Sequence, residues 1–264
     1  MTPNELPVSD VPTANQYGDV AAIYDALMEH VPHGHWLSRI EKEVRLRERR
    51  AESALDIACG TGIVTERLFQ RGYRPVVGFD LSPAMIAIAR TKAAARGNPS
   101  ALRYTVSDAV TLDLPERFDL LVSLFDSLNY ILEPDALQEA FHRFYRHTNR
   151  GGMIAFDLNA PYALRQNLFT QSQHFGPVQH NWVSFWDERT QLCRVEMDFW
   201  VTDEVTGDRR HFHETHVQRA YSPRDIFDML TGAGYSKVSV YGNYGDYPPG
   251  PKSDRLLFTA QKDD

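Results

Sequence analysis

Two glycines one residue apart, Gly60 and Gly62, follow a short apolar run that leads through Asp56, Ile57, Ala58 and Cys59. Glycine adopts positive φ without steric cost and carries no side chain, so this spacing lets a backbone turn tightly and touch a ligand. Asp80 closes the next apolar run, where a carboxylate can accept hydrogen bonds from both hydroxyls of a ribose, and Asp108, followed by Ala109, closes the one after. In an open parallel sheet the carboxyl ends of neighbouring strands converge on one crevice, so three acids in these places line one ligand. The plainer roles are that Asp56 caps a turn and Asp108 ends a strand. Thr65 stands where a dinucleotide fingerprint wants a third glycine, which disfavours a pyrophosphate-bridged cofactor.

The elements that must carry these residues follow from periodicity and caps. Residues 54–58, 76–79, 102–106, 118–124 and 153–158 read as strands. Between them, residues 63–70 form a helix stopped by Gly72, Ser82-Pro83 opens a helix bearing Met85 and Ile86, and Pro134 opens one bearing Leu137, Phe141 and Phe144. Strands alternating with helices of this length require a parallel sheet with helices on both faces. The rhythm breaks after Pro161. Cys193, Val195, Met197, Phe199 and Val201 alternate with Arg194, Glu196 and Asp198, the period of a half-buried strand. A turn at Thr206-Gly207-Asp208 leads to a partner at 210–221, with a third strand at 182–186. The Ser222-Pro223-Arg224-Asp225 capping signature then restarts the core, followed by strands at 237–241 and 256–260. Residues 14–28 read as one helix with Tyr17, Ala21, Tyr24, Leu27 and Met28 on its inner face, and the charge-dense stretch 41–52 as a solvated helix. The division is a helical lid (1–45), a core (46–164 and 221–264) and an inserted antiparallel β subdomain (165–220).

The chain has 264 residues and a formal charge of −7, which works against a partner made of phosphate backbone or anionic lipid and favours a small molecule. No apolar run approaches the ~18 residues of a membrane span, and the start, MTPNELPVSD, lacks a signal pattern, so a cytoplasmic protein is expected. Two cysteines, Cys59 and Cys193, with no C-x-x-C pair, provide neither a disulfide framework nor a thiolate zinc site. No repeat or low-complexity tract is present.

The order strand, Asp-x-x-x-Gly-x-Gly, Asp80, then Ser107-Asp108-Ala109 resembles the class I S-adenosylmethionine (SAM)-dependent methyltransferases, over residues 54–158 closely and the last helix and strands more loosely. The resemblance implies a Rossmann-like, doubly wound, mostly parallel seven-stranded α/β fold with SAM as cofactor. By it, Asp56, Gly60 and Gly62 hold the methionine part of SAM, Asp80 its ribose, and Asp108 and Ala109 its adenine edge. Leu81 and Met85 cover the adenine face, and Ala58 and Leu124 border the cofactor. Tyr17, Tyr24 and the lid, together with Asp126-Ser127-Leu128-Asn129-Tyr130, are similar to small-molecule methyltransferases, including amino-sugar N-methyltransferases and glycine N-methyltransferase relatives. There the N-terminal helix closes over SAM and the second segment borders the transferred methyl. Nucleobase amino-methyltransferases carry two prolines where Ser127 and Leu128 stand, so that class loses support.

Methyl transfer from a sulfonium needs an acceptor lone pair held about 3 Å from the methyl carbon and water kept out. An amine must arrive unprotonated and a hydroxyl needs a base. Catalytic candidates are Tyr17, Asp126, Asn129 and His180, with His174, His213 and His216 as further bases. His211 and His213 share one strand face, Glu214 and His216 the other, so no metal site converges there. Asp126, Asp157 and Asn159 have a partial likeness to the magnesium ligands of catechol-type O-methyltransferases, but Leu158 separates the last two, and no metal is expected. Cys59 reads as a small filler. Aromatic residues of the insertion, among them Trp182 and Trp200, are expected to wall an acceptor pocket. The expected activity is methylation of a nitrogen or oxygen of a small molecule. An RNA or protein methyltransferase and a non-catalytic SAM-binding module are the competing readings, and monomer or homodimer is left open.

Overall fold

The computed structural model describes residues 17–97 and 100–264. The core strands are β1 (Ala54–Ile57), β2 (Val76–Asp80), β3 (Leu102–Val106), β4 (Phe118–Ser123), β5 (Thr148–Asn159), β10 (Ser236–Gly242) and β11 (Arg255–Gln261). They form one seven-stranded sheet in the order β10-β11-β5-β4-β1-β2-β3. Only β11 runs against its neighbours, as a hairpin partner of β10 and an antiparallel partner of β5. The order reverses direction between β1 and β4, so the carboxyl ends of β1, β2 and β4 flank the crevice where such sheets bind ligands.

Helices α3 (Ile63–Gln70) and α4 (Pro83–Ala95) pack with α2 (His33–Leu46) on one face, while α5 (Pro134–His147) and α7 (Pro223–Ala233) cover the other. Local side-chain chemistry sets their ends. The Ser82 hydroxyl accepts the Met85 N–H, and Ser222 and Asp225 close a reciprocal capping box. The stretch 41–52 differs from its sequence reading. Its helix ends at Leu46, and Glu43 is buried against Arg39 at 2.7 Å because α2 lies on the core through Leu37, Ile40 and Val44. β5 begins at Thr148, earlier than the strand expected from residue 153, and Gly151-Gly152 lies inside it. Gly151 has a φ of 71°, and the β4–β5 register shifts there, so the pair forms a bulge rather than a strand start.

The insertion is a separate four-stranded antiparallel sheet, β6 (Gln171–Phe175), β7 (Val178–Asp187), β8 (Leu192–Thr202) and β9 (Arg209–Arg219), reached through the short helix α6 (Pro161–Arg165). β6 carries no alternating pattern and was not expected from the sequence. The apolar face of β8, with Cys193, Val195, Met197 and Phe199 buried, packs against Val20 and Ile23 of the N-terminal segment. That segment is not one long helix. A 3-10 turn at Val20–Ile23 runs into α1 (Tyr24–Leu27), and residues 14–16 lie outside the described residues. No helix among the described residues is long and apolar enough to cross a membrane.

Candidate active site

After β1 the chain folds back over the strand end with Ala58, Gly60 and Gly62 at φ of 52°, 54° and 84°. A left-handed alanine costs roughly 1–2 kcal/mol, so the turn is held by its surroundings. A Cβ on Gly62 would lie 2.5 Å from the Tyr104 hydroxyl, and one on Gly60 would come within 3.5 Å of the Tyr24 ring. The turn is thus a bare-backbone cradle between β3 and the lid. The Asp80 Oδ2 accepts the Gly60 N–H and its Oδ1 the Ser82 N–H, both at 2.8 Å, and each oxygen keeps a lone pair for a sugar hydroxyl. Burial pushes the Asp80 carboxyl upward against the pull of those N–H groups.

Asp56 is buried beneath this turn and accepts a 2.6 Å hydrogen bond from the Thr65 hydroxyl. Burial pushes its carboxyl up to about 7, the Thr65 bond acting in the opposite direction. Gly78 of β2 provides the space: a Cβ there would lie 2.9 Å from both the Cys59 sulfur and the Thr65 hydroxyl. Cys59 fills this corner, and burial pushes its thiol up, away from nucleophile chemistry.

A second cavity, of about 80 Å³, opens beyond the cradle between the lid, the end of β4 and the inserted sheet. Tyr17, Tyr24 and Leu27 form its lid side, Trp182, Met197 and Phe199 its far wall, and Phe125, Asp126, Tyr130, His216, Gln218 and Arg255 its floor. Phe125 and Asp126 hold positive φ (67° and 54°), a strained strand end of the kind found at functional sites. Asp126 receives Arg255 at 2.8 Å on one oxygen and the Gln218 amide at 2.7 Å on the other. Arg255 also binds Asp157 and lies over the Phe125 and Trp36 rings. Two carboxylates share one guanidinium, which leaves one net negative charge. Burial and the neighbouring Asp157 push the Asp126 carboxyl upward in spite of Arg255.

The lid is clasped on both sides. The Thr61 hydroxyl, inside the cradle, donates to Asp25 at 2.5 Å, and Lys92 pairs with the other Asp25 oxygen at 2.6 Å. On the insertion side the Glu214 carboxylate accepts the N–H groups of Tyr17, Asp19 and Val20 at 2.9–3.0 Å. Glu214 also binds His216 at 2.9 Å. The other ring nitrogen of His216 meets the Tyr130 hydroxyl at 3.0 Å, and Tyr17 donates to Tyr130 at 3.0 Å.

A methyltransferase-domain family model matches residues 54–152, the strands and helices that build the cradle. The Bacillus subtilis protein YqeM, a methyltransferase by name, is 30% identical over 93% of this chain and 97% of its own length. A dTDP-4-amino-2,3,4,6-tetradeoxy-D-glucose N,N-dimethyltransferase of Saccharopolyspora spinosa is 33% identical over 92% of each chain. This chain belongs to the class I SAM-dependent methyltransferases. The likeness extends to structure: a SAM-dependent methyltransferase from Clostridium acetobutylicum superposes with a TM-score of 0.82 at 27% identity, over 94% of this chain and 99% of that one. SAM is therefore the cofactor, and the glycine cradle with the Asp80 carboxylate beside it fits a nucleoside-bearing ligand.

The methyltransferase gathers some of the residues singled out in its sequence and scatters others. Tyr17, Tyr24 and Asp126 meet at the second cavity. Asn129 does not. Its amide is spent inside the fold, donating to the Arg219 carbonyl at 2.8 Å and accepting the Asn159 N–H at 2.9 Å, so it ties β9 to β5. His180 is also excluded from the lining. It sits 2% exposed on β7 with its ring stacked on Trp182, and burial lowers its pKa. His174 and His213 are exposed, the latter bound to Glu196 and Asp198. Trp182 lines the cavity, whereas Trp200 stacks on His211 away from it.

On the cofactor side, Leu81 is 67% exposed beside Asp80, while Met85 is 2% exposed beneath the Ser82 cap. Asp108 is exposed and accepts the Val110 N–H of its own loop, Ala109 packs on the core, and Leu124 is buried at the end of β4. Asn159 donates to Gln218, and among the described residues no group of three or more His, Cys, Asp or Glu is placed to hold a metal ion. Sequence reasoning missed Arg255 and Gln218 as partners of Asp126 and Thr65 as the partner of Asp56.

The raised Asp56 carboxyl has a measurable consequence. If its anion holds the ammonium of the methionine part, SAM affinity should rise as pH increases through about 7, and Asp56→Asn should remove that rise. Calorimetric titration across pH 5.5–8.5 checks this, and a pH-independent affinity in the parent protein would contradict it. In the free protein the sign is opposite. A carboxyl whose folded pKa is raised contributes stability below its unfolded value, and that stability is lost as pH rises through the folded one.

Proposed function

We propose that this methyltransferase alkylates an amine nitrogen of a small, sugar-like acceptor held between the lid and the inserted sheet. The observation that carries the reading is the second cavity, enclosed by aromatic rings and floored by a carboxylate that shares its guanidinium. A net negative, largely apolar enclosure draws in a cationic amine and a planar or sugar-like body. The Saccharopolyspora relative, named for N,N-dimethylation of an amino sugar, supports the same class.

When bound, SAM supplies an electrophilic methyl group on a sulfonium. The chain's own residues do the rest. Asp56, Gly60 and Gly62 would hold the methionine part, Asp80 the ribose, and Asp108, Ala109, Leu81 and, from beneath, the buried Met85 would surround the base. Tyr17, Tyr24 and Leu27 shut water out, and the aromatic wall orients the acceptor so that its lone pair is presented in line. A hydroxyl acceptor would need a strong base, yet burial pushes all three cavity phenols, Tyr17, Tyr24 and Tyr130, up and away from ionisation. That favours nitrogen over oxygen.

The test is a panel of primary amines, dTDP-linked amino sugars among them, against the matched alcohols and bulk tRNA, reading release of S-adenosylhomocysteine. Turnover is expected with amines alone, and turnover confined to alcohols or RNA would overturn the proposal. Trp182→Ala should raise the acceptor KM ~30-fold, the ~2 kcal/mol of a buried aromatic anchor, with SAM affinity unchanged.

A further inference from the structure

We infer that Glu214 and His216 on β9 form the proton sink of the reaction, reached from the acceptor through Tyr17 and Tyr130. The inference rests on the amine reading above, since an ammonium must shed a proton before its nitrogen can attack. Four groups from three separate parts of the chain make one unbroken line. Tyr17 comes from the lid, Tyr130 from the 3-10 turn after β4, and His216 and Glu214 from the inserted sheet. The links are 3.0, 3.0 and 2.9 Å.

Alternation along β9 explains the placement. Glu214 and His216 are two residues apart, so both face inward and are 8% and 2% exposed, while His213 and Thr215 face out to Glu196.

Donor and acceptor chemistry gives the line a direction. A carboxylate only accepts, so the His216 Nε2 must carry the hydrogen toward Glu214, which leaves Nδ1 as the acceptor for the Tyr130 O–H. Tyr17 donates to Tyr130, so the Tyr17 oxygen keeps its lone pairs for the cavity it lines. Burial raises both phenols, so neither gives up a proton without receiving one. The step therefore balances as a relay. The N–H bond of the acceptor ammonium breaks, and its electron pair stays on nitrogen as the attacking lone pair. The proton bonds to the Tyr17 oxygen as the Tyr17 proton passes to the Tyr130 oxygen and the Tyr130 proton to the His216 Nδ1. Both phenols end neutral, and the positive charge has moved from the acceptor to an imidazolium facing the Glu214 carboxylate. The groups facing His216 are Tyr17 from the lid, Tyr130 from the turn and Glu214 from its own strand, with Asp126 acting on Tyr130 from beyond.

Two measurements separate this inference from the amine reading. The first needs no acceptor: ¹⁵N NMR of the neutral His216 ring with S-adenosylhomocysteine bound should show the Nε2–H tautomer, with Nδ1 as a hydrogen-bond acceptor that Tyr130→Phe perturbs. An Nδ1–H tautomer overturns the relay whether or not any amine is turned over.

The second uses whichever amine the panel yields. Tyr130→Phe, which keeps the ring, and His216→Asn should each lower kcat about 100-fold or more with SAM affinity unchanged. Glu214→Gln, which keeps an oxygen for the lid but removes the carboxylate charge facing His216, should lower kcat as well. Parent-like kcat in both Tyr130→Phe and His216→Asn would overturn the relay while leaving the amine assignment intact.

Discussion

Arg255→Met is expected to cost about 3–5 kcal/mol of folding stability at neutral pH, the largest loss of any single replacement around the site. The guanidinium is 18% exposed and stands between carboxylates that are 8% and 0% exposed, Asp126 and Asp157. Removing it leaves two like charges side by side with no water to screen them. Urea unfolding of the parent and variant checks the magnitude, and a cost under about 1 kcal/mol would contradict it. The cost should also depend on pH with a definite sign. Burial already pushes the Asp126 carboxyl upward, and losing Arg255, which pulls it down, pushes it further. An acid with a raised folded-state pKa binds a proton more tightly folded than unfolded, so the penalty builds as pH rises through that pKa and shrinks below it. The variant should recover part of its stability on acidification from neutral, and Asp126→Asn in the same chain should recover part of it at pH 7.

Asp80→Ala should weaken SAM binding about 5- to 150-fold, or ~1–3 kcal/mol, and lower the stability of the free protein as well. The two effects have separate causes. The ribose loses its acceptors, and the N–H groups of Gly60 and Ser82 lose the carboxylate that holds the cradle against the start of α4. Calorimetry reads the first and urea unfolding the second. Lost stability with unchanged SAM affinity would reduce Asp80 to a clasp and remove it from the ligand.

Much of the cofactor side was legible because it is built from local chemistry. Ser82 and the Ser222–Asp225 box announce helix starts, and strand, glycines and acid follow in fixed order because each strand delivers one residue to the crevice. The acceptor side was less legible for two physical reasons. Its polar floor is assembled across long separations, with Arg255 reaching Asp126 and Gln218 reaching it from β9, and periodicity carries no information about such pairs. The segment after β4 is a 3-10 turn, in which successive residues project in different directions. Asn129 and Tyr130 are adjacent, yet one is spent inside the fold and the other faces the cavity. The signal was present in β9, where Glu214 and His216 share a face, but their target, the lid, lies at the other end of the chain.

Thr65, the residue that spoils the dinucleotide fingerprint, has a wider effect through the carboxyl it holds. In dinucleotide folds the first helix start is a patch of positive potential that welcomes phosphate. In this molecule the Asp56 acid, kept in place by the Thr65 hydroxyl and given room by Gly78, sits under that helix start and is either neutral or negative, never positive. The mouth of the fold thereby lacks the attraction for an anion that its dinucleotide counterparts offer at the same place.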